Sequence, residues 1–256
     1  MKANFSSDSG YLFAALTVLI WSGFVVVSRM GSTGTLTPYD ISALRLGTAA
    51  LVLAPWWLPR LLIPERRQLQ WYQGLSLALL AGITYPLASY IGFQYAPASH
   101  GAVLISGMLP FFTSIFASRL LGERPSRIRF LGLTLILTGV LTLLFTQMNV
   151  QSFGQSTLKG DLLLLAASCF WSLFTVLIKY WRLKAFDVSL GVTAISAMMY
   201  LPVFFLFLPS HLAIASTQDI ALQAFYQGFI VVCVAMWTYA KAVELQIGRA
   251  SCRERV

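Results

Sequence analysis

The chain has 256 residues, of which 57% are hydrophobic and only 11% are charged. Soluble domains carry roughly a quarter charged residues, so this composition excludes a typical soluble enzyme or binding module and indicates a membrane protein. The formal net charge of +9 would suit a nucleic-acid partner, but the basic residues lie between long apolar runs, as topology determinants of membrane proteins do. We therefore expect the chain to contact the lipid bilayer and no nucleic acid.

Eight apolar runs follow a short polar lead at 1–10, and each is close to the ~20 residues that a helix needs to cross a bilayer. All of them should be helices, because the open edge of a β-strand cannot face lipid. The sequence therefore predicts an all-α fold, a polytopic bundle of transmembrane helices. The predicted spans are 11–30, 38–58, 71–94, 101–120, 128–145, 161–180, 189–208 and 221–243.

The distribution of Lys and Arg predicts a cytoplasmic N-terminus. With that orientation, eleven basic residues flank the cytoplasmic ends of the spans, and only Arg29 and Lys159 flank the other ends. Basic residues concentrate on the cytoplasmic side of membrane proteins. The first span is too long for the core of a signal peptide and is followed by further spans, so we expect it to remain as a helix.

The sixth span repeats the first. The pattern W-S-x-F-x-V-x-x-R at 21–29 recurs as W-S-x-F-x-V-x-x-K at 171–179, at an offset of 150 residues. Because the two copies are an odd number of spans apart, they should cross the membrane in opposite directions. Inverted repeats of this kind are typical of secondary transporters, which bind substrate near the midplane between the two halves.

The second copy of the repeat, at 160–246, follows a polar linker at 147–159 and stops after its third span, whereas the first copy, at 11–146, has five. The final residues at 247–256, IGRASCRERV, resemble the translation of a sequencing adapter, and such segments are excluded from reasoning about a fold. The alternative is a short basic cytoplasmic tail. We expect eight of ten spans, with the second repeat truncated and the positions of the ninth and tenth helices vacant.

A set of small, charged and aromatic residues along the chain resembles the EamA-type ten-helix members of the drug/metabolite transporter superfamily. That resemblance implies a multi-pass carrier of the bacterial cell inner membrane, often an exporter of amino acids or other small metabolites. It also implies structural roles for Pro110, Gly122, Glu123, Gly132 and Gly139. The residues that carry it are Trp21-Ser22-Gly23, Arg45, Ala96, Pro110, Leu121-Gly122-Glu123, Gly132, Gly139, Gly160-Asp161 and Phe170-Trp171.

Arg45 is the most informative charge, because an arginine inside a span is costly and normally faces a cavity or a partner. It is a candidate for binding an anionic group of a substrate, such as a carboxylate. The alternatives are an ion pair with Asp40 or a side chain that reaches the interface.

Other candidates for a substrate cavity are aromatic and polar side chains within the spans. A cavity that holds a metabolite by a few polar groups in an apolar wall would use such residues. Packing between helices and placement in the aromatic belt at the membrane surface are the alternatives. The candidates are Trp21, Ser22, Tyr85, Tyr90, Gln94, Trp171, Ser172 and Trp237.

Three polar residues lie at the ends of spans. His100 could titrate near neutral pH and couple transport to protons, but we expect a solvated loop residue. Asp161 is expected to cap the N-terminus of its helix. Glu123 is expected to fix its turn by an ion pair with the neighbouring arginines, Arg119, Arg124 and Arg127.

No motif for catalysis is present. The sequence has no H-E-x-x-H zinc motif and no glycine-rich phosphate loop, and Cys169, Cys233 and Cys252 lack metal or disulfide spacing. We therefore expect a transporter of a small molecule with neither a cofactor nor a metal, and not an enzyme. A truncated membrane protein that does not transport is the alternative, and the sequence predicts no oligomeric state.

Overall fold

The computed structural model describes residues 7–62, 69–123, 126–148, 155–239 and 241–242. These residues form eight helices and contain no strand, which confirms the predicted all-α bundle. The helices are α1 (Ser7–Thr33), α2 (Pro38–Leu62), α3 (Trp71–Tyr95), α4 (Ala98–Leu121), α5 (Arg127–Met148), α6 (Gln155–Tyr180), α7 (Ala185–Phe207) and α8 (Thr217–Tyr239).

Within the described ranges, seven helices are long and apolar enough to cross a membrane, all except α5. The side chains of α5 are described only as far as Thr142. Large apolar side chains are exposed on the outer faces of the bundle, for example Leu51, Phe205 and Phe207. Such faces suit lipid contact, because no hydrophobic force opposes their exposure to acyl chains. The chain is therefore a polytopic helix bundle.

The structure corrects the predicted start of the sixth span. Helix α6 begins at Gln155, within the predicted linker, so Asp161 lies in its second turn and is not an N-cap. The reason is that the polar residues before Asp161 continue the helix rather than ending it. Residues 149–154 of the linker and the segment 247–256 lie outside the described residues.

Successive helices alternate in direction, so the connections lie at two ends of the bundle. The N-terminal end, where α1 begins, also holds the α2–α3, α4–α5 and α6–α7 connections. The opposite end holds the α1–α2, α3–α4 and α7–α8 connections. Contacts agree with this arrangement, because Arg60 of α2 bonds to Asp187 in the first turn of α7 at the N-terminal end. Helices α1 and α6 therefore run in opposite directions.

Helices α3 and α6 pack closely because small residues line their contact. A Cβ atom at Gly160 would lie 2.7 Å from the Cβ of Ala96 and 2.8 Å from the carbonyl oxygen of Gly92. Small residues allow membrane helices to approach until their backbones touch. By contrast, no heavy atom lies within 4 Å of a Cβ atom at Gly132 or Gly139 on α5.

Substitution of Gly160 by Ala should destabilise the fold. The added methyl group meets backbone atoms that cannot move aside, and overpacking of this kind costs roughly 1–3 kcal/mol. Gly132→Ala is the matched control, because its methyl group meets open space and alanine favours a helix over glycine by about 0.5–1 kcal/mol. Thermal unfolding of the detergent-purified variants should give a lower Tm for G160A and an unchanged or higher Tm for G132A. Equal Tm values for the two variants would contradict the close α3–α6 contact.

Candidate functional site

Three helices each contain a π-helical segment, in which the turns are wider than in an α-helix. All three segments border one cavity, described below. The segments are Ala78–Thr84 in α3, Ala102–Gly107 in α4 and Ala224–Val234 in α8. Proline explains two of them, because its ring clashes with the carbonyl four residues before it and removes a hydrogen bond. That carbonyl belongs to Gly82 for Pro86 and to Ser106 for Pro110, so each clash falls inside a wide segment. Wide turns of this type are frequent at functional sites.

A cavity lies between α1, α2, α3, α4, α6, α7 and α8. We call it the central cavity. Aromatic rings form a continuous part of its wall: ring centroids are 4.7 Å apart for Tyr85 and Trp171, and 5.1 Å apart for Trp171 and Phe174. The main polar lining residues are Arg45, Ser106, Ser189 and Thr193. The arrangement provides an aromatic, apolar surface with a few polar groups, as small-molecule sites do.

The two copies of the sequence repeat contribute equivalent residues to this cavity. Trp21 and Phe24 of α1 line it, and so do Trp171 and Phe174 of α6. Because α1 and α6 run in opposite directions, these pairs approach the cavity from two sides. The repeat in the sequence is therefore also a repeat in the positions of the cavity-lining aromatic residues.

A second cavity adjoins the first and is lined by Lys184 and Ala185 at the start of α7. We call it the vestibule, and its position places it toward the N-terminal end of the bundle. Five residues line both cavities and form what we call the neck. The neck residues are Trp21, Leu109, Trp171, Phe174 and Met236.

Arg45 is buried, with 7% of its surface exposed, and lines the central cavity. Its Nη1 donates a long hydrogen bond of 3.5 Å to Oε1 of Gln227. Its guanidinium carbon lies 5.7 Å from the centroid of the Phe24 ring, in a cation–π contact. The ion pairs among the described residues do not include Arg45. A buried guanidinium beside neutral groups is therefore available to an anion in the cavity.

Gln227 forms hydrogen bonds with two further buried polar residues, Tyr90 and Ser28. We call these three residues the Gln227 cluster. The hydroxyl of Tyr90 donates to Oε1 of Gln227 at 3.2 Å, and Nε2 of Gln227 donates to the hydroxyl of Ser28 at 3.0 Å. Gln227, Tyr90 and Ser28 have no exposed surface. The sequence reasoning missed Gln227, although a glutamine within an apolar span is itself a signal, because a buried amide in a membrane needs partners.

The close packing of α8 against α2 brings Gln227 to Arg45. A Cβ atom at Gly228 would lie 3.1 Å from the carbonyl oxygen of Arg45 and 2.5 Å from the Cβ of Thr48. Glycine at this position therefore permits the contact between the two helices. The interaction between Arg45 and Gln227 depends on it.

Asp40 does not pair with Arg45, which overturns that alternative. It accepts hydrogen bonds from the backbone and hydroxyl of Thr37, from the hydroxyl of Ser210 at 2.6 Å and from the backbone N–H of His211 at 3.0 Å. These bonds join the α1–α2 connection to the α7–α8 connection at the opposite end. We call this set of contacts the Asp40 clamp.

The remaining candidates lie away from the central cavity. Ser22 is exposed and donates to the carbonyl of Val18, and Gln94 is exposed at the end of α3. Ser172 is buried and donates to the carbonyl of Leu109, which fastens α6 to α4. Trp237 is 52% exposed and packs its ring against Phe13 on the outer face.

His100 and Asp161 form a buried pair, and this corrects both expectations. Nδ1 of His100 lies 2.7 Å from Oδ1 of Asp161, and the side chains are 0% and 6% exposed. His100 is therefore not a solvated loop residue. The physical reason is the small-residue contact between α3 and α6, which brings the second turn of α6 against the start of α4. The pair fastens α4 to α6 near the opposite end and does not line the central cavity.

Glu123 pairs with Lys179 of α6, and the ion pairs among the described residues include neither Arg119 nor Arg127. Arg124, the third expected partner, lies outside the described residues. The turn is set by Gly122, whose φ of +68° is the left-handed conformation that glycine adopts without strain. The hydrogen bond from Lys179, with the charge of Arg129, lowers the pKa of the Glu123 carboxyl. Because this pKa is lowered, the pair persists at neutral pH and is lost only as the pH falls through the lowered value.

Comparisons with known proteins agree with the fold. The sequence profile of the EamA-like transporter family matches residues 8–145, more than half of the chain. An uncharacterized transporter of Archaeoglobus fulgidus is 28% identical over 170 residues, which cover 65% of this chain and 56% of that relative. The chain thus matches little more than half the length of that relative. A solved crystal structure aligns with a TM-score of 0.59 and 21% identity, over 92% of this chain and 79% of the other, and shows the fold alone.

Substitution of Gln227 by Leu should destabilise the protein. It leaves the buried hydroxyls of Tyr90 and Ser28 and the guanidinium of Arg45 without their partner, and each unsatisfied buried group costs roughly 1–3 kcal/mol. Gln94→Leu is the matched control, because the Gln94 side chain is exposed. The Tm of detergent-purified protein should fall for Q227L and stay within a degree or two for Q94L. A Q227L variant as stable as Q94L would show that the polar cluster contributes nothing.

The His100–Asp161 pair should show coupling in a double-mutant cycle. Residues in direct contact have interaction energies of roughly 0.5–3 kcal/mol. The stabilities of His100→Ala, Asp161→Ala and the double variant, measured by denaturant unfolding in mixed micelles, give the coupling. Destabilisations that add within a few tenths of a kcal/mol would contradict the pair.

Proposed function

Because the chain belongs to the EamA-like transporter family, we propose that it is a secondary transporter of the bacterial inner membrane. Its substrates are amino acids or other small metabolites, and it exports them by alternating access. The observation that carries the proposal is the central cavity, which is lined by Trp21 and Trp171 from the two repeat copies and by the buried Arg45. Sites of this kind between repeats are typical of such carriers.

The two ends of the bundle differ, and the difference supports entry of the substrate into the central cavity from one end only. The central cavity continues through the neck into the vestibule at the N-terminal end. At the opposite end, the Asp40 clamp joins the two connections, and the Gln227 cluster fills the space behind Arg45. With a cytoplasmic N-terminus, this conformation faces the cytoplasm, as an exporter does before it releases substrate outside.

The mechanism follows from the positions of the wall residues. A substrate enters through the vestibule, places an apolar part against Trp21, Tyr85 and Trp171, and places an anionic group on Arg45. Rocking of the two halves then closes the neck and opens the opposite end. Within the described residues, the lining of the central cavity includes no Asp or Glu. This favours facilitated or exchange transport driven by the substrate gradient over a proton carried by a cavity carboxylate.

Substitution of one cavity tryptophan should strongly reduce transport without unfolding the protein. Proteoliposomes loaded with single amino acids and small organic acids report flux by counterflow of the labelled compound. Trp171→Ala removes the ring that contacts both Tyr85 and Phe174, and we expect a fall in flux of roughly tenfold or more. Trp237→Ala is the matched control, because Trp237 lies on the outer face. Equal flux for W171A and W237A would contradict the site, and no flux with any compound would favour a non-transporting membrane protein.

Access to the cavity should be one-sided. In a background with Cys169, Cys233 and Cys252 replaced by Ser, Ser106→Cys places a thiol on the cavity wall. The impermeant reagent 2-sulfonatoethyl methanethiosulfonate should label this thiol in inside-out vesicles and leave it unlabelled in right-side-out vesicles. Ser99→Cys, exposed in the first turn of α4 at the opposite end, is the control and should show the reverse. Equal labelling of S106C from both sides would contradict a cavity that is open at one end.

A further inference from the structure

The charge on the walls of the central cavity and the vestibule is of one sign. Among the described residues that line either space, the charged side chains are Arg45 and Lys184, and neither Asp nor Glu is present. Arg45 lies in the central cavity, and Lys184 lies at the mouth of the vestibule beyond the neck. A ligand that moves between these spaces therefore passes from one cation to another.

Arg45 is not neutralised by its surroundings. Its hydrogen-bond acceptor is a neutral amide oxygen, and that oxygen also accepts from Tyr90. A cation buried without an opposite charge is unfavourable in a medium of low dielectric constant, and an anion that enters relieves this cost. The cavity therefore suits a negatively charged ligand better than a neutral ligand or no ligand.

The acidic residues in the first turns of α2 and α7, two helices that line the cavity, already have partners. Asp40 accepts the hydrogen bonds of its clamp, and Asp187 pairs with Arg60 at 3.3 Å. Neither carboxylate lines the central cavity or the vestibule. An ammonium group on a ligand would therefore meet aromatic faces and hydroxyls, together with the repulsion of Arg45, but no carboxylate.

We propose that the central cavity selects organic monoanions with an apolar or aromatic body over zwitterionic amino acids and over cations. The inference rests on the proposed transport function and narrows its substrate class to carboxylates that carry no ammonium group. Arg45 binds the carboxylate, and Trp21, Tyr85 and Trp171 contact the apolar body. A zwitterion satisfies Arg45 equally but buries an ammonium group without a partner, which costs more than the hydrogen bonds to neutral groups return.

Lys184 adds attraction at the entrance. It is exposed at the start of α7, and its backbone is extended where the helix begins. A cation beside a helix N-terminus, where the dipole is positive, raises the local concentration of anions. Entry of a monoanion should therefore slow at high ionic strength, while entry of a zwitterion should not change.

The test uses three probes that share a phenyl ring and a two-carbon chain and differ in charge at pH 7. They are 3-phenylpropionate (−1), L-phenylalanine (0) and phenethylamine (+1). Isothermal titration of the full chain in nanodiscs should give the tightest binding for 3-phenylpropionate, roughly tenfold tighter than for L-phenylalanine, with phenethylamine the weakest. Arg45→Gln should weaken binding of 3-phenylpropionate by roughly tenfold or more and reduce the difference among the three probes.

Two further variants keep the test decisive. Arg45→Lys keeps the charge and should keep the order of the probes, even if Arg45→Gln folds poorly. Arg127→Gln, an exposed arginine at the start of α5, makes the same chemical change away from the cavity and should leave all three affinities unchanged.

The inference is overturned if L-phenylalanine or phenethylamine binds as tightly as 3-phenylpropionate, if 3-phenylpropionate does not bind, or if R45Q weakens all three probes equally. The counterflow assay separates this failure from that of the proposed function. Flux of zwitterions or cations without flux of monoanions leaves the transporter standing and overturns the selectivity. If no compound shows flux, the proposed transport function is itself contradicted.

Discussion

A guanidinium held inside an apolar bundle is the constraint on which the rest of the site depends. An arginine at the centre of a membrane helix costs about 2.5–3.5 kcal/mol on insertion scales, so the surrounding residues must recover that cost. Here they do so with neutral groups: Gln227 accepts from Arg45, Tyr90 shares the same acceptor, and Phe24 lies under the charge. These neutral groups stabilise the charge of Arg45 without neutralising it. Arg45 can therefore bind an anion, which an arginine in a structural ion pair could not.

The helices around Arg45 are shaped to leave room beside it. Prolines at 86 and 110 force wide turns into α3 and α4 at the level of the cavity, and Gly228 draws α8 against α2. The wide turns in α3, α4 and α8 and the close contact between α8 and α2 all lie around the central cavity. The aromatic rings of the two repeat copies line the central cavity with an apolar surface.

The sequence predicts the positions of the spans well, because uncharged apolar runs of about 20 residues are typical of membrane-crossing helices. It also reveals the repeat that makes Trp21 and Trp171 equivalent, and both line the central cavity. The sequence does not distinguish residues that line the cavity from residues that face outward. Ser22 and Trp237 face outward, although the sequence made them candidates on the same grounds as Trp21. In a membrane both lipid and protein interior are apolar, so helical periodicity carries little information about which face is buried. Contacts between distant residues, such as His100 with Asp161, depend on packing that no local pattern encodes.

The neck and the Asp40 clamp both join the two repeat halves. The proposed rotation between the halves would therefore change both of them. The neck takes Trp21 from the first repeat copy and Trp171 and Phe174 from the second, so any rotation between the halves changes its width. The clamp also joins the halves, because Asp40 belongs to the first and accepts from Ser210 in the second. In the proposed alternating access, opening the opposite end would break hydrogen bonds to a buried carboxylate, each worth about 1.5–3 kcal/mol. A ligand whose charge rests on Arg45, in the same helix as Asp40, lies where it can offset that cost.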